Sequence, residues 1–90
     1  MATNEQVAEH FASRNEGDIN AANLFVREGV LYSYGTHWPL AVWDDGIAYV
    51  NGDRRSQTST VHLGLATKAL TRAGAQFRMS TLSVIKGMIG

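Results

Sequence analysis

Between residues 23 and 51 the apolar positions come in four short runs: LFV (24–26), VLYSY (30–34), PLAVW (39–43) and IAYVN (47–51). Each is rich in β-branched or aromatic side chains and bounded by turn-forming residues, which predicts four strands. Glu28-Gly29 suits a tight hairpin, and Asp44-Asp45-Gly46 a short one with glycine at positive φ. Gly35-Thr36 reads as a kink or bulge rather than a turn. The simplest arrangement is a mostly antiparallel meander. Pro39 cannot donate to a ladder, so it belongs either on an edge strand or at the first position of its strand.

Alternation sorts the faces. Val30, Tyr32 and Tyr34 share one side of their strand; on the next, His37, Pro39, Ala41 and Trp43 share one side and Trp38, Leu40 and Val42 the other. With both faces apolar, that third strand should be covered twice, by helix on one side and by a partner or the chain ends on the other.

Helical spacing flanks the strands. Val7 and Phe11 predict a helix over 4–14, with Thr3 or Asn4 as cap, Glu5 in its first turn, Gly17 as its stop and Phe11 docking it on the sheet. A second helix should start near Thr58 or Ser59 and run to about Ala73, ending at Gly74. Its apolar stripe is Leu65, Ala69, Ala73, Ala66 and His62, with Val61 and Leu70 at the flanks. Residues 75–90 alternate at Phe77 and Met79 and read as a fifth short strand or extended segment, followed by a short apolar tail open to helix. The fold class is α+β: an antiparallel sheet of four to five strands in meander order, a short N-terminal helix and one longer helix after the fourth strand, in a single domain over 1–90.

Composition narrows what such a domain can be. Ninety residues bury one modest core, and the absence of cysteine removes disulfides and thiolate zinc sites. An idealised core or self-association into a homodimer must compensate. Eight basic residues balance eight acidic ones, which disfavours nucleic-acid binding through a broad basic face. A local patch is still open to the second half, where Arg54, Arg55, Lys68, Arg72, Arg78 and Lys86 fall. MATNEQVAEHF lacks the basic start and apolar run of a signal peptide, and no run reaches transmembrane length. The expected location is the cytoplasm, of a cell or of an infected host, with no membrane partner.

The chemistry concentrates in YSYGTHWPLAVW (32–43), which holds both tryptophans, two of the three tyrosines, one of the three histidines and the only proline. One reading is structural: buried aromatics contribute roughly 1.5 to 3 kcal/mol each to a small core. The other is functional: Tyr34, His37 and Trp38, next to a glycine bend, form a pocket or partner surface. Trp43 beside the Asp44-Asp45-Gly46 turn, with Arg54 and Arg55, extends the candidate binding set. Gly35, Pro39 and His62 are assigned structural roles, Gly35 through a backbone conformation costly for other residues and His62 as a buried, neutral, hydrogen-bonded side chain.

Other chemistries are thinner. His37 and His62 with Asp53 or Asp44 would make a divalent metal site, but two histidines without fixed spacing are a weak signal, and a buried histidine usually bonds a carbonyl or a hydroxyl such as that of Tyr34. Ser33, Ser56 and Ser59 lack a nucleophile-elbow context. NGDRRSQTST precedes a helix N-terminus and could take an anion, without a phosphate-loop pattern. Asp44, Asp45 and Asp53 sit in turns, where aspartate bonds its own backbone. No cofactor and no metal is expected.

Two motifs nevertheless resemble a group of uncharacterised bacterial and phage-associated small domains with the pattern Y-S-Y-G-x-H-[FW]-P-[IL]-A followed by S-x-T-[ST]-x-x-H. Tyr32, Ser33, Tyr34, Gly35, His37, Trp38, Pro39 and Ala41 match the first half; Asn51, which precedes the second motif in that group, and Ser56, Thr58, Ser59 and His62 match the second. The resemblance covers about half of the chain. Phenylalanine often stands at the position of Trp38 in that group, and threonine at that of Ser59. The resemblance implies a hairpin-plus-helix unit whose two histidine segments belong together, and an origin in a phage or mobile element.

The expected function is a small non-catalytic phage-type binding protein acting on a host protein, such as a defence or transcription component. Two alternatives stand beside it: nucleic-acid binding or regulation through the Arg54/Arg55 loop, and a small hydrolase or metal site at His37 and His62.

Overall fold

The computed structural model of the chain describes residues 2–15, 17–53 and 57–89, the side chains of 57–59 excepted. Three helices, α1 (Asn4–Ala12), α2 (Gln57–Arg72) and α3 (Leu82–Ile89), accompany β1 (Ile19–Asn20), β2 (Leu24–Arg27), β3 (Val30–Ser33), β4 (Pro39–Asp44), β5 (Ile47–Asn51) and β6 (Phe77–Ser80). The strands form one six-stranded sheet in the order β1-β2-β3-β4-β5-β6.

Short-range chemistry builds much of it. Both two-residue hairpin loops place consecutive residues at positive φ, Glu28 (52°) with Gly29 (80°) and Asp45 (50°) with Gly46 (79°), the left-handed pair that matches strand twist. Thr3 caps α1 in a reciprocal box with Gln6. The helix stops earlier than expected, at Ser13, where Arg14 takes the left-handed conformation (φ 56°) before Gly17 is reached.

The sheet is mixed rather than purely antiparallel, because β6 runs parallel to β5. The sixteen residues of α2 rise about 24 Å, enough to carry the chain back along the five residues of β5, so the next strand enters at the same end. β1, too short for a periodicity signal, extends the meander through Ile19 opposite Val26.

Two layers of apolar contact follow. The main core lies between the sheet and α1 with α2, and contains Val7, Phe11, Leu24, Leu31, Leu40, Ala41, Val50, Ala66 and Leu70. On the other face Ile85 of α3 meets Val30 and Val42, with Tyr32, Tyr49 and Met88 at the rim. β4 is therefore covered on both sides, and Pro39 is its first residue within a central strand. The second cover is α3 of the same chain, which removes the apolar argument for a homodimer.

Two facial assignments are corrected. The β3–β4 register shifts between Leu31 and Tyr32: Leu31 faces Ala41 while Tyr32 faces Pro39, leaving Leu40 as the extra residue of a bulge. Leu40 and Ala41 accordingly both join the main core, where strict alternation would put Leu40 with Val42. On α2 the buried stripe is His62, Ala66, Ala69 and Leu70, whereas Ala73 and Val61 are exposed and Leu65 is half-buried. The larger Leu70 turns inward because it fills more of the core than Ala73 could. The capping expected of Thr58 or Ser59 involves side chains outside the described residues.

Candidate functional site

β3 ends, β4 begins and β5 ends at the same end of the sheet, and the first turns of α2 pass over that place. Most of the residues singled out in the sequence meet there.

The chain reverses between Ser33 and Pro39 in a hydrogen-bonded turn, where only a kink was expected: Trp38 N donates to Gly35 O (3.1 Å), and Ser33 N donates to Trp38 O (3.1 Å). The backbone strain falls on Tyr34, at φ 71°, and not on Gly35, which stays out of the left-handed region. Tyr34 is tied down by its own N–H, which donates to Asn23 O (2.8 Å). What Gly35 supplies instead is room. A Cβ there would lie 2.9 Å from Cε1 of the exposed His37 ring, so Gly35→Ala displaces a side chain rather than distorting the main chain.

Beneath the turn lie the three buried polar residues of the described set: Ser33, Asn51 and His62, at 0%, 0% and 1% exposure. Ser33 Oγ and His62 Nδ1 share a hydrogen bond of 2.6 Å, and the Tyr34 ring is tilted over the imidazole at 5.6 Å. Tyr34 thus meets His62 through its ring, and the hydroxyl in contact is that of Ser33. Burial pushes the His62 pKa below its ordinary value of 6.5, because no water compensates the charged form. Asn51 Nδ2 donates to Pro39 O (3.1 Å) and Asn51 Oδ1 accepts from Asp53 N (2.9 Å). Asp53 Oδ2 in turn accepts from Leu82 N (3.0 Å) at the start of α3. A turn aspartate thereby ties the site to the helix that seals the opposite face.

The two motif halves are therefore in contact through Ser33, Tyr34 and His62, and through Pro39 and Asn51. The structural part played by Ser33 and Asn51 is what sequence reasoning missed. A lone polar residue closing an apolar strand run was the available signal.

Other candidates separate. Trp38 is half-buried at the start of β4, whereas Trp43 sits near its far end. Trp43 Nε1 donates to Phe11 O (2.9 Å), its ring stacks on Phe11 at 5.8 Å, and the Arg14 guanidinium covers it at 4.7 Å. It anchors α1 to the sheet. The chain leaves β5 beside Pro39, at the end of β4 remote from Trp43, so the loop following β5 starts away from that tryptophan. Arg54, Arg55 and Ser56 lie outside the described residues, as do the side chains of Thr58 and Ser59.

Among the described residues no group of three His, Asp or Glu side chains could hold a metal ion, and no helix is long and apolar enough to cross a membrane. Ser33 and His62 have the spacing of a nucleophile and its base, but both are buried, and a substrate has no route to Ser33 Oγ in this conformation. No protein-family model, no curated protein and no solved structure matches the chain.

Proposed function

We propose that the chain is a non-catalytic binding protein whose 34–38 turn is the centre of its contact with a partner protein. The observation that carries this reading is the presentation of Tyr34. A bulky residue at φ 71° is costly, and its ring stands 48% exposed above a buried hydrogen-bonded pair. Strain of roughly 1 to 3 kcal/mol retained at an exposed aromatic side chain suits a recognition surface better than a packing role. His37 and Trp38 flank it in the same turn. In the phage context implied by the motif resemblance, the partner is a host protein, and the mode of action is occupation of one of its surfaces, as in host takeover or inhibition of a defence component.

Two substitutions separate strain from recognition. Both Tyr34→Gly and Tyr34→Ala remove the ring, yet only glycine adopts positive φ freely, so Tyr34→Gly should unfold in urea at higher free energy than Tyr34→Ala by about 1 kcal/mol. Both should lose a partner that the parent retains in affinity capture, while a Ser83→Ala control, exposed on α3, keeps it. If the Tyr34 variants capture the same partner undiminished, the turn is not the contact surface.

A hydrolase reading rests on the 2.6 Å Ser33–His62 bond alone. Its test is labelling by a fluorophosphonate, and burial of Ser33 leads us to expect none. Nucleic-acid binding through Arg54 and Arg55 would instead show affinity falling steeply with salt.

A further inference from the structure

The geometry points to a second interaction surface, independent of the 34–38 turn: the outer edge of β6 with the groove beside it, fitted to an extended partner segment whose groove-facing side chains are apolar toward one end and acidic toward the other. β6 is the last strand of the sheet. Its ladder to β5 uses alternate residues: Ala48 N donates to Gln76 O (3.0 Å) and Gly52 N donates to Ser80 O (2.9 Å). By the alternation of a parallel ladder, Arg78 faces β5 as well, and the N–H and C=O groups of Phe77 and Met79 point outward. Among the described residues no strand takes them up. An outward row of this kind is a template for an added strand.

The surface beside that edge is apolar at one end and basic at the other. Val61, Leu65, Lys68 and Arg72 recur at helical spacing on α2 and, with Phe77, line an open groove of about 670 Å³. Val61 and Met79, 60% and 53% exposed, add apolar surface beside the edge. No carboxylate lines the groove; Glu5 and Glu9 line the adjoining cavity between α1 and α2, which shares Leu65, Lys68 and Arg72 with it. Because α2 runs back along β5, Val61 lies toward the end of β6 and Arg72 toward its start. A strand added to β6 would place alternate side chains over this groove, apolar ones against Val61, Leu65 and Phe77 and acidic ones beside Lys68 and Arg72. An antiparallel two-fold pairing of β6 with its own copy would set the Arg72 end of one groove against the apolar Val61 end of the other, leaving Lys68 and Arg72 without acidic partners.

The probe is a capped peptide of about ten residues in which every second residue is valine in one half and glutamate in the other, with threonine between, so that both kinds of side chain share one face; it is long enough to span an ordinary strand. It is titrated into the full chain, with amide exchange followed by NMR. Saturable binding that slows exchange at Phe77 and Met79 by about ten-fold or more is expected. The same peptide with a central proline should not bind, since it cannot complete the ladder. Lysine in place of glutamate should abolish binding, and Lys68→Glu with Arg72→Glu, two exposed changes checked for folding by circular dichroism, should reverse that preference. Unaltered exchange at Phe77 and Met79 up to about 1 mM peptide, near the weak limit of specific recognition, overturns the proposal. So do equal binding of both peptides, protection that grows with protein concentration alone and marks a second copy, and preferential binding of an oligothymidylate at the same amides. None of these results bears on the Tyr34 variants, so failure here and failure at the turn are distinguishable.

Discussion

Replacing Ile85 by alanine is expected to destabilise the fold by about 2 to 5 kcal/mol, as for other fully buried aliphatic side chains. Ile85 is 0% exposed and is the one buried residue of α3; it joins that helix to Val30 and Val42 on the second face of the sheet. An eight-residue helix has little stability of its own, so the loss should loosen the whole segment and not merely leave a hole. Tyr32, Tyr49 and Val42 would then meet solvent, and self-association seen by light scattering should rise as the apolar face opens. Val84→Ala, on the same helix but 51% exposed, is the control and should change stability by no more than about 0.5 kcal/mol. Equal urea midpoints for the two variants would show that α3 does not seal this face.

The second large effect is at His62. His62→Ala should cost roughly 1 to 3 kcal/mol, combining a packing defect under Tyr34 with a Ser33 hydroxyl left buried without its partner. Ser33→Ala placed in the same background should recover part of that loss, since it removes the orphaned group, and a double-mutant cycle reads the coupling directly. The pH dependence follows from the same burial. The folded-state pKa of His62 lies below its unfolded value of 6.5, so below that pH the unfolded chain binds a proton that the native state resists. Stability attributable to His62 is therefore complete above pH 6.5. It is lost as pH falls from there toward the folded pKa, with a slope of at most about 1.4 kcal/mol per pH unit. His62→Gln should flatten that part of the profile. An unchanged acid limb in the variant would mean that His62 is not the group responsible.

The two hairpins, the four central strands and the start of α1, to within the choice of Thr3 or Asn4 as cap, were legible in the sequence because each depends on residues close together in the chain. Glu28-Gly29 and Asp45-Gly46 carry their own positive-φ preference, and Thr3 finds Gln6 one turn away. The burial of His62 was legible as well, since it lies on an apolar helical stripe whatever that stripe packs against. Its partner was not, for the Ser33 hydroxyl is twenty-nine positions away, and nothing local selects it over that of Tyr34.

What remained was decided between segments. The bulge at Leu40 depends on how β3 and β4 settle into register, and it alone sends Leu40 to the main core. The parallel pairing of β6 follows from where α2 delivers the chain, and the inward turn of Leu70 from the shape of the space it fills. Tyr34 takes the strained conformation beside a glycine because Asn23 and His62 fix its backbone and its ring from two distant segments. Local sequence determined the dihedral preferences and the periodicity of burial. The tertiary structure decided register, direction and the partners of buried polar groups, because those are set by contacts that close only when distant parts of the chain have met.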